Sequence, residues 1–237
     1  MRCGIGFLIA LFLLSGCSTA PGIVDMQNAE GERTAVLIVN PISDQYPESV
    51  RLWSEYVLSK NSDADIRAVT GDMTKEDVIE MVMEAGGGRI VLIYHGHGGD
   101  GYAWLKSGEE LPYPEILSLL VSKDIPFLLL VDACYSGSAA EGFKEMIEGY
   151  PHDAVLITSS SSEERSYGSI KGNPDGSASW IQRSLLLFDE IPSEVGTEEE
   201  KQHPEIWIYE PETGVTGKME LPEPHSKGFD REYKALL

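Results

Sequence analysis

Cysteine is scarce in this chain: 237 residues carry three, at positions 3, 17 and 134. So few thiols exclude the disulfide-dense scaffolds that small exported domains use for stability. Basic residues are also few, 18 Lys and Arg against 39 Asp and Glu, a formal net charge of -21. A surface so acidic repels phosphate backbones and anionic lipid, so no nucleic acid is expected as a partner. Long apolar runs are missing apart from Ile5 to Leu14, and that run is too short to cross a bilayer as a mature helix. What remains is an ordinary globular composition, 42% hydrophobic and 24% charged, which argues against a disordered chain and a multi-span membrane protein. The length suits one domain.

The N-terminus reads as an export signal. Arg2 precedes the apolar stretch, and Leu14-Ser15-Gly16-Cys17 follows it, small residues directly before a cysteine as in a lipobox. The pattern resembles bacterial or archaeal lipoproteins, which implies residues 1–16 as signal peptide, Cys17 as the lipidated residue and residues 17–33 as a tether. A short uncleaved anchor is the alternative. Either way the expected location is extracytoplasmic, lipid-anchored to the cell membrane or outer membrane. The only membrane contact expected is that lipid. Cys3 would leave with the signal and Cys17 would carry lipid, so Cys134 alone remains in the folded body.

From Thr34 onward, apolar runs of strand length alternate with helical spacing, the signature of βαβ units and a mostly parallel sheet covered on both faces. Strands are expected at Ala35–Val39, Ile66–Val69, Arg89–Tyr94, Pro126–Val131 and Ala154–Thr158. Helices are expected from near Pro47, from Lys75 with Thr74 as N-cap, and over Pro114–Ser122, Ala139–Glu148 and Ser179–Phe188. The expected fold is a three-layer α/β/α sandwich over residues 34–190. An acidic C-terminal extension, 191–237, could pack on it and contain a terminal hairpin at Ile206–Tyr209.

Two strands run into segments rich in reactive side chains. Arg89–Tyr94 leads into His95-Gly96-His97-Gly98-Gly99, and Pro126–Val131 leads into Asp132-Ala133-Cys134-Tyr135-Ser136-Gly137-Ser138. Catalytic groups in open α/β sheets collect beyond the carboxyl ends of strands. A thiol is a useful nucleophile when a neighbouring imidazole can take and return its proton, and backbone amides at Gly98 and Cys134 are candidates for holding a carbonyl oxyanion. Each feature also has a bland reading: a cysteine after a strand is commonly a small buried hydrophobe, and a glycine-rich turn a tight connection. An H-x-H pair can bind zinc, but no third and fourth ligand can be placed, so neither metal nor other cofactor is proposed.

The ordered pair, a strand ending in HG and a later strand ending in DAC-x-SGS, resembles the caspase-fold cysteine peptidases. The segment Ile157 to Gly168 (ITSSSSEERSYG) is similar to legumain in particular. The resemblance spans roughly Ala35 to Phe188 and implies a caspase-like domain with Cys134 as nucleophile, His97 as acid/base and His95 in support. Asn40 would orient the histidine, although it also suits a plain turn before Pro41. The resemblance further implies a primary specificity pocket built from Asp132, Ser166 and Asp175. Legumain balances such acids with an arginine shortly after the first strand. Here Asn40 to Gln45 contains none, which opens a preference for Lys or Arg in place of Asn.

The function expected on this basis is a cysteine endopeptidase acting on peptide or protein substrates through a thioester, with transpeptidation as a further outcome of the same intermediate. The alternative is a catalytically silent surface protein of the same fold that binds peptides or a protein partner. An esterase read from HGHGG lacks the G-x-S-x-G elbow.

Overall fold

The computed structural model describes residues 33–166, 179–197 and 200–223. The expected signal peptide, residues 17–32 of the expected tether, Cys17 and Asp175 lie outside these residues.

In chain order the elements are β1 (Thr34–Asn40), α1 (Ser49–Lys60), β2 (Asp65–Thr70), α2 (Lys75–Glu84), β3 (Arg89–His95), β4 (His97–Gly99), β5 (Tyr102–Trp104) and β6 (Glu110–Pro112). There follow α3 (Tyr113–Ser122), β7 (Phe127–Asp132), α4 (Ala139–Met146), β8 (Ala154–Thr158), α5 (Trp180–Phe188), β9 (Val195–Thr197), β10 (Glu200–Gln202), β11 (Glu205–Glu210) and β12 (Val215–Lys218). A 3-10 turn, Ser136–Ser138, joins β7 to α4.

The central sheet has seven strands in the order β12-β11-β8-β7-β3-β1-β2. β2, β1, β3, β7 and β8 are parallel, β11 runs antiparallel to β8, and β12 runs antiparallel to β11 and so along the parallel strands. β1 is buried at every position, as a strand covered on both faces must be. Alternate residues feed two cores. Leu37, Leu92, Leu129 and their neighbours pack with residues of α2, α3 and α4, whereas Val36, Ile38, Val91 and Leu130 pack with Trp53 and Val57 of α1 and Ile181 and Leu185 of α5. This is a three-layer α/β/α sandwich.

Local signals set the element ends. Thr74 caps α2 through a reciprocal capping box with Asp77, and the Ser179 side chain accepts from the Gln182 amide to start α5. Two features depart from the sequence reading. The glycine-rich segment after β3 is itself a small antiparallel sheet, β4-β5-β6. The boundary at residue 190 does not close the domain: β11 hydrogen-bonds along β8, and its Ile206 and Tyr209 are buried in the two cores. The terminal hairpin was expected, and its place is inside the main sheet, because β8 would otherwise present an open apolar edge. Among the described residues no helix is long and apolar enough to cross a membrane.

Candidate active site

The chain runs from β1 outward to β2 and then crosses back to β3, so the topological switch point lies between β1 and β3. The crevice beyond the strand ends there is where open α/β sheets bind ligands. A cavity of about 110 Å³ occupies it, lined by Pro41, Ile42, Asp44 and Gln45 after β1 and by His97, Trp104, Leu105 and Lys106 from the small sheet. A larger depression of about 440 Å³ lies on the β11–β12 hairpin, separated from His97 by β8 and β7. None of the sequence-expected site residues among the described ones lines it.

β3 and β7 are paired with His95 opposite Asp132, so the segments bearing His97 and Cys134 leave the sheet side by side, each two residues further on. Their backbones touch at Gly98: a Cβ built there would stand 2.7 Å from the Cys134 carbonyl oxygen and 2.9 Å from the Ala133 Cβ. Only glycine fits, which gives the glycine after His97 a physical reason. Tyr94 fixes the loop from below, its hydroxyl shared between the carbonyl oxygens of His97 at 2.7 Å and Trp104 at 2.6 Å. His97 itself is exposed, and Cys134 is half-buried.

Cys134 sits on a sharp strand-to-helix turn. Tyr135, next in the chain, adopts a left-handed conformation (φ 57°), a strained backbone for a residue with a Cβ. The serine run after β8 holds this turn. The Ala133 amide donates to Ser159 Oγ at 3.1 Å, Ser160 Oγ donates to the Ala133 carbonyl at 3.1 Å, and the Ser136 amide donates to Ser160 Oγ at 3.3 Å. Gly137 closes against the same run, since a Cβ there would lie 2.5 Å from the Ser162 nitrogen. The clamping role of Ser159 and Ser160 has no distinct mark in the sequence beyond the length of the serine run.

The thiol donates to the Ser166 carbonyl oxygen at 3.3 Å. Burial pushes its pKa up and Asp132 adds to the rise. The Ser166 main chain, Arg165 and the cysteine's own main chain pull it the other way. The net shift is upward, so the resting group is a thiol. Ser166 also places its hydroxyl 3.3 Å from Asp132 Oδ1 and accepts from Ser159 Oγ at 3.0 Å. Cys134, Asp132 and Ser166 are therefore one cluster.

His95 is buried, with its Nδ1 3.1 Å from Ser49 Oγ and its ring 5.1 Å from that of Tyr46. Burial lowers its pKa, Asp132 raises it and His97 lowers it, and burial prevails. Asp132 Oδ2, 3.3 Å from His95 Nδ1, makes no hydrogen bond of its own among the described residues. Gln182 reaches in from α5 to donate to the Ser49 carbonyl at 2.9 Å, tying that helix to the histidine's support.

Asn40 is buried and donates from Nδ2 to the Tyr46 carbonyl at 3.5 Å. It makes no hydrogen bond to His97 among the described residues, so the expected orienting contact is replaced by closure of the turn after β1. The stretch Asn40 to Gln45 holds no arginine, but a cation from α5 lies in the interior. Arg183, on α5, is buried beneath the site and stacks 4.9 Å from the Trp180 ring. Its charge acts on the Tyr46 hydroxyl, whose pKa is raised by burial, by Asp132 and by Cys134, and lowered by Arg183. Nothing in the sequence marked Arg183 as buried, because a cation on an amphipathic helix reads as solvent-facing. Among the described residues no group of three or more His, Cys, Asp or Glu side chains forms a metal-ligand cluster.

No protein-family model matches the sequence, and no curated protein matches it. Among solved structures, the chain is similar at a TM-score of 0.24 and 8% identity to an Argonaute protein from Methanocaldcoccus janaschii in complex with guide DNA. The match covers 85% of this chain and spans 44% of that protein's length. That neighbour holds guide DNA, whereas no nucleic acid was expected for this chain from its net charge. A likeness this weak carries no argument about what the present chain binds.

Proposed function

We propose that the chain is a cysteine peptidase of the caspase-like, legumain-related type, exported and held at a membrane by lipid on Cys17. One observation carries the reading: the loop bearing His97 and the turn bearing Cys134 leave neighbouring parallel strands and touch at Gly98, at the carboxyl edge of the sheet. In the proposed reaction Cys134 Sγ attacks a peptide carbonyl carbon as His97 takes the thiol proton. The Gly98 and Cys134 amides hold the oxyanion. His97 then returns the proton to the departing amine, leaving a thioester. Water or a second amine resolves the thioester, giving hydrolysis or ligation.

The cluster of Asp132 and Ser166 beside the thiol forms one wall of the specificity pocket in this reading. With Arg183 buried nearby, it favours a neutral, hydrogen-bonding side chain such as Asn over Lys or Arg. A fluorogenic panel with Asn, Asp, Lys and Arg at the cleaved position tests both points. Cleavage that disappears in Cys134→Ala supports the peptidase. Inactivity across the panel after proteolytic activation supports a peptide-binding surface protein of the same fold.

A further inference from the structure

Tyr113 is fully buried at the start of α3, with its amide donating to the Gly101 carbonyl at 3.0 Å. Its hydroxyl makes no hydrogen bond among the described residues. Other tyrosines of this domain are served: Tyr94 by main-chain carbonyls of the small sheet, Tyr150 by the Ile125 carbonyl, Tyr209 by the Tyr150 carbonyl. A phenol buried without a partner is destabilising, and phenylalanine would fill the same space without that cost. The position of the orphan is informative. It lies 3.0 Å from the point where a Gly98 Cβ would stand, and that point is 2.7 Å from the Cys134 carbonyl oxygen. The hydroxyl therefore lies close to the contact between the two halves of the site.

We propose that Tyr113 is a positioning residue for Cys134, its hydroxyl kept unpartnered in the resting protein so that it can donate toward the negative charge that forms when the thiol loses its proton. The inference rests on Cys134 being the reactive thiol. No bond is made or broken at Tyr113: the thiol proton passes to His97 or solvent, and the phenol keeps its own. Burial pushes the Tyr113 pKa well up, and the Cys134 and Tyr102 charges push it further, so the group is a donor throughout the working pH range. The other titratable groups acting around Cys134 are Asp132 on β7, Arg165 after β8 and Tyr46 after β1, and His97 starts the adjoining β4.

The test is the rate of Cys134 alkylation by iodoacetamide as a function of pH in the full chain and in Tyr113→Phe, read by peptide mapping so that other cysteines do not contribute. The expected result is a midpoint about one pH unit higher in the variant, or about tenfold slower alkylation at a fixed pH on the rising limb. Its melting temperature should be unchanged or higher. Superimposable pH profiles would overturn the proposal, and so would a lower melting temperature, which would mean the hydroxyl is already bonded in the resting protein. Because the assay needs no peptide, a shifted profile in a chain that cleaves nothing would keep this inference and remove the peptidase reading.

Discussion

The thiol of Cys134 donates to the carbonyl oxygen of Ser166, 3.3 Å away and 32 residues later in the chain. This contact defines the resting state. A sulfur that hands its proton to a carbonyl is a thiol, and the upward pKa shift from burial agrees with it. In the proposed reaction, proton transfer to His97 therefore falls within the attack step, with no standing thiolate–imidazolium pair beforehand.

The first prediction follows from that state. Alkylation of Cys134 should rise only on the alkaline side, with a midpoint above that of an exposed cysteine. Asp132→Asn should move the midpoint down, since Asp132 raises the thiol pKa, and Arg165→Gln should move it up, since Arg165 lowers it. Iodoacetamide kinetics across pH check all three signs. A plateau of full reactivity extending below neutrality would contradict the resting thiol.

Gly98→Ala should damage the site more than the fold. The new Cβ meets backbone and buried atoms on three sides, at 2.7 to 3.0 Å, and the loop must shift away from Cys134. A displacement of this order costs about 10²-fold in kcat/KM where amides must meet an oxyanion. Overpacking costs about 1–3 kcal/mol of stability. Steady-state kinetics and thermal melting together separate the two effects.

Glu164 links the loop after β8 to the segment entering β11. Its carboxylate accepts from the His203 amide at 3.0 Å and the Ser161 amide at 3.2 Å, and it pairs with the His203 ring. Burial raises its pKa, but the hydrogen bonds from His203 and Ser161 outweigh burial, and the net shift is downward. A carboxyl depressed in the folded state contributes stability that is present above its unfolded pKa and is lost as pH falls through the folded value. Melting temperature should therefore drop below about pH 4, and Glu164→Gln should flatten that drop. An unchanged acid limb in the variant would remove Glu164 as its source.

Deleting residues 205–218 should unfold or precipitate the domain, because it uncovers the β8 edge and removes Ile206 and Tyr209 from the two cores. Circular dichroism of the purified deletion checks this. A soluble, folded product would restore the boundary at residue 190.

Most of the sandwich was legible because its strands are continuous apolar runs and its helices carry clear stops and caps. Ala154–Thr158 matches β8 at both ends, and Thr74 with Asp77 caps α2 as the spacing implies. The small sheet after β3 was not legible, since His97–Gly99 offers no apolar alternation, and its pairing with Tyr102–Trp104 is set by tertiary contacts. In the site, His97 and Cys134 could be placed by the strands that precede them. Arg183 and Gln182 could not, because they reach the site from a helix far along the chain, and Tyr113 could not, because nothing at the start of α3 marks its hydroxyl as facing the site. Asn40 misled for the opposite reason: its position after β1 fits two roles, and the turn's own carbonyls compete for its amide.

The central claim is that Cys134 and His97 act together on a peptide carbonyl. The most direct measurement is intact mass and peptide mapping after incubation with a peptidyl acyloxymethyl ketone, which captures a thiol only where the site positions it for attack. The account predicts one adduct, at Cys134, formed at least about 10²-fold more slowly in His97→Ala and absent in Cys134→Ala. An adduct rate unchanged by His97→Ala, or labelling no faster at Cys134 than at an unfolded cysteine, would contradict it.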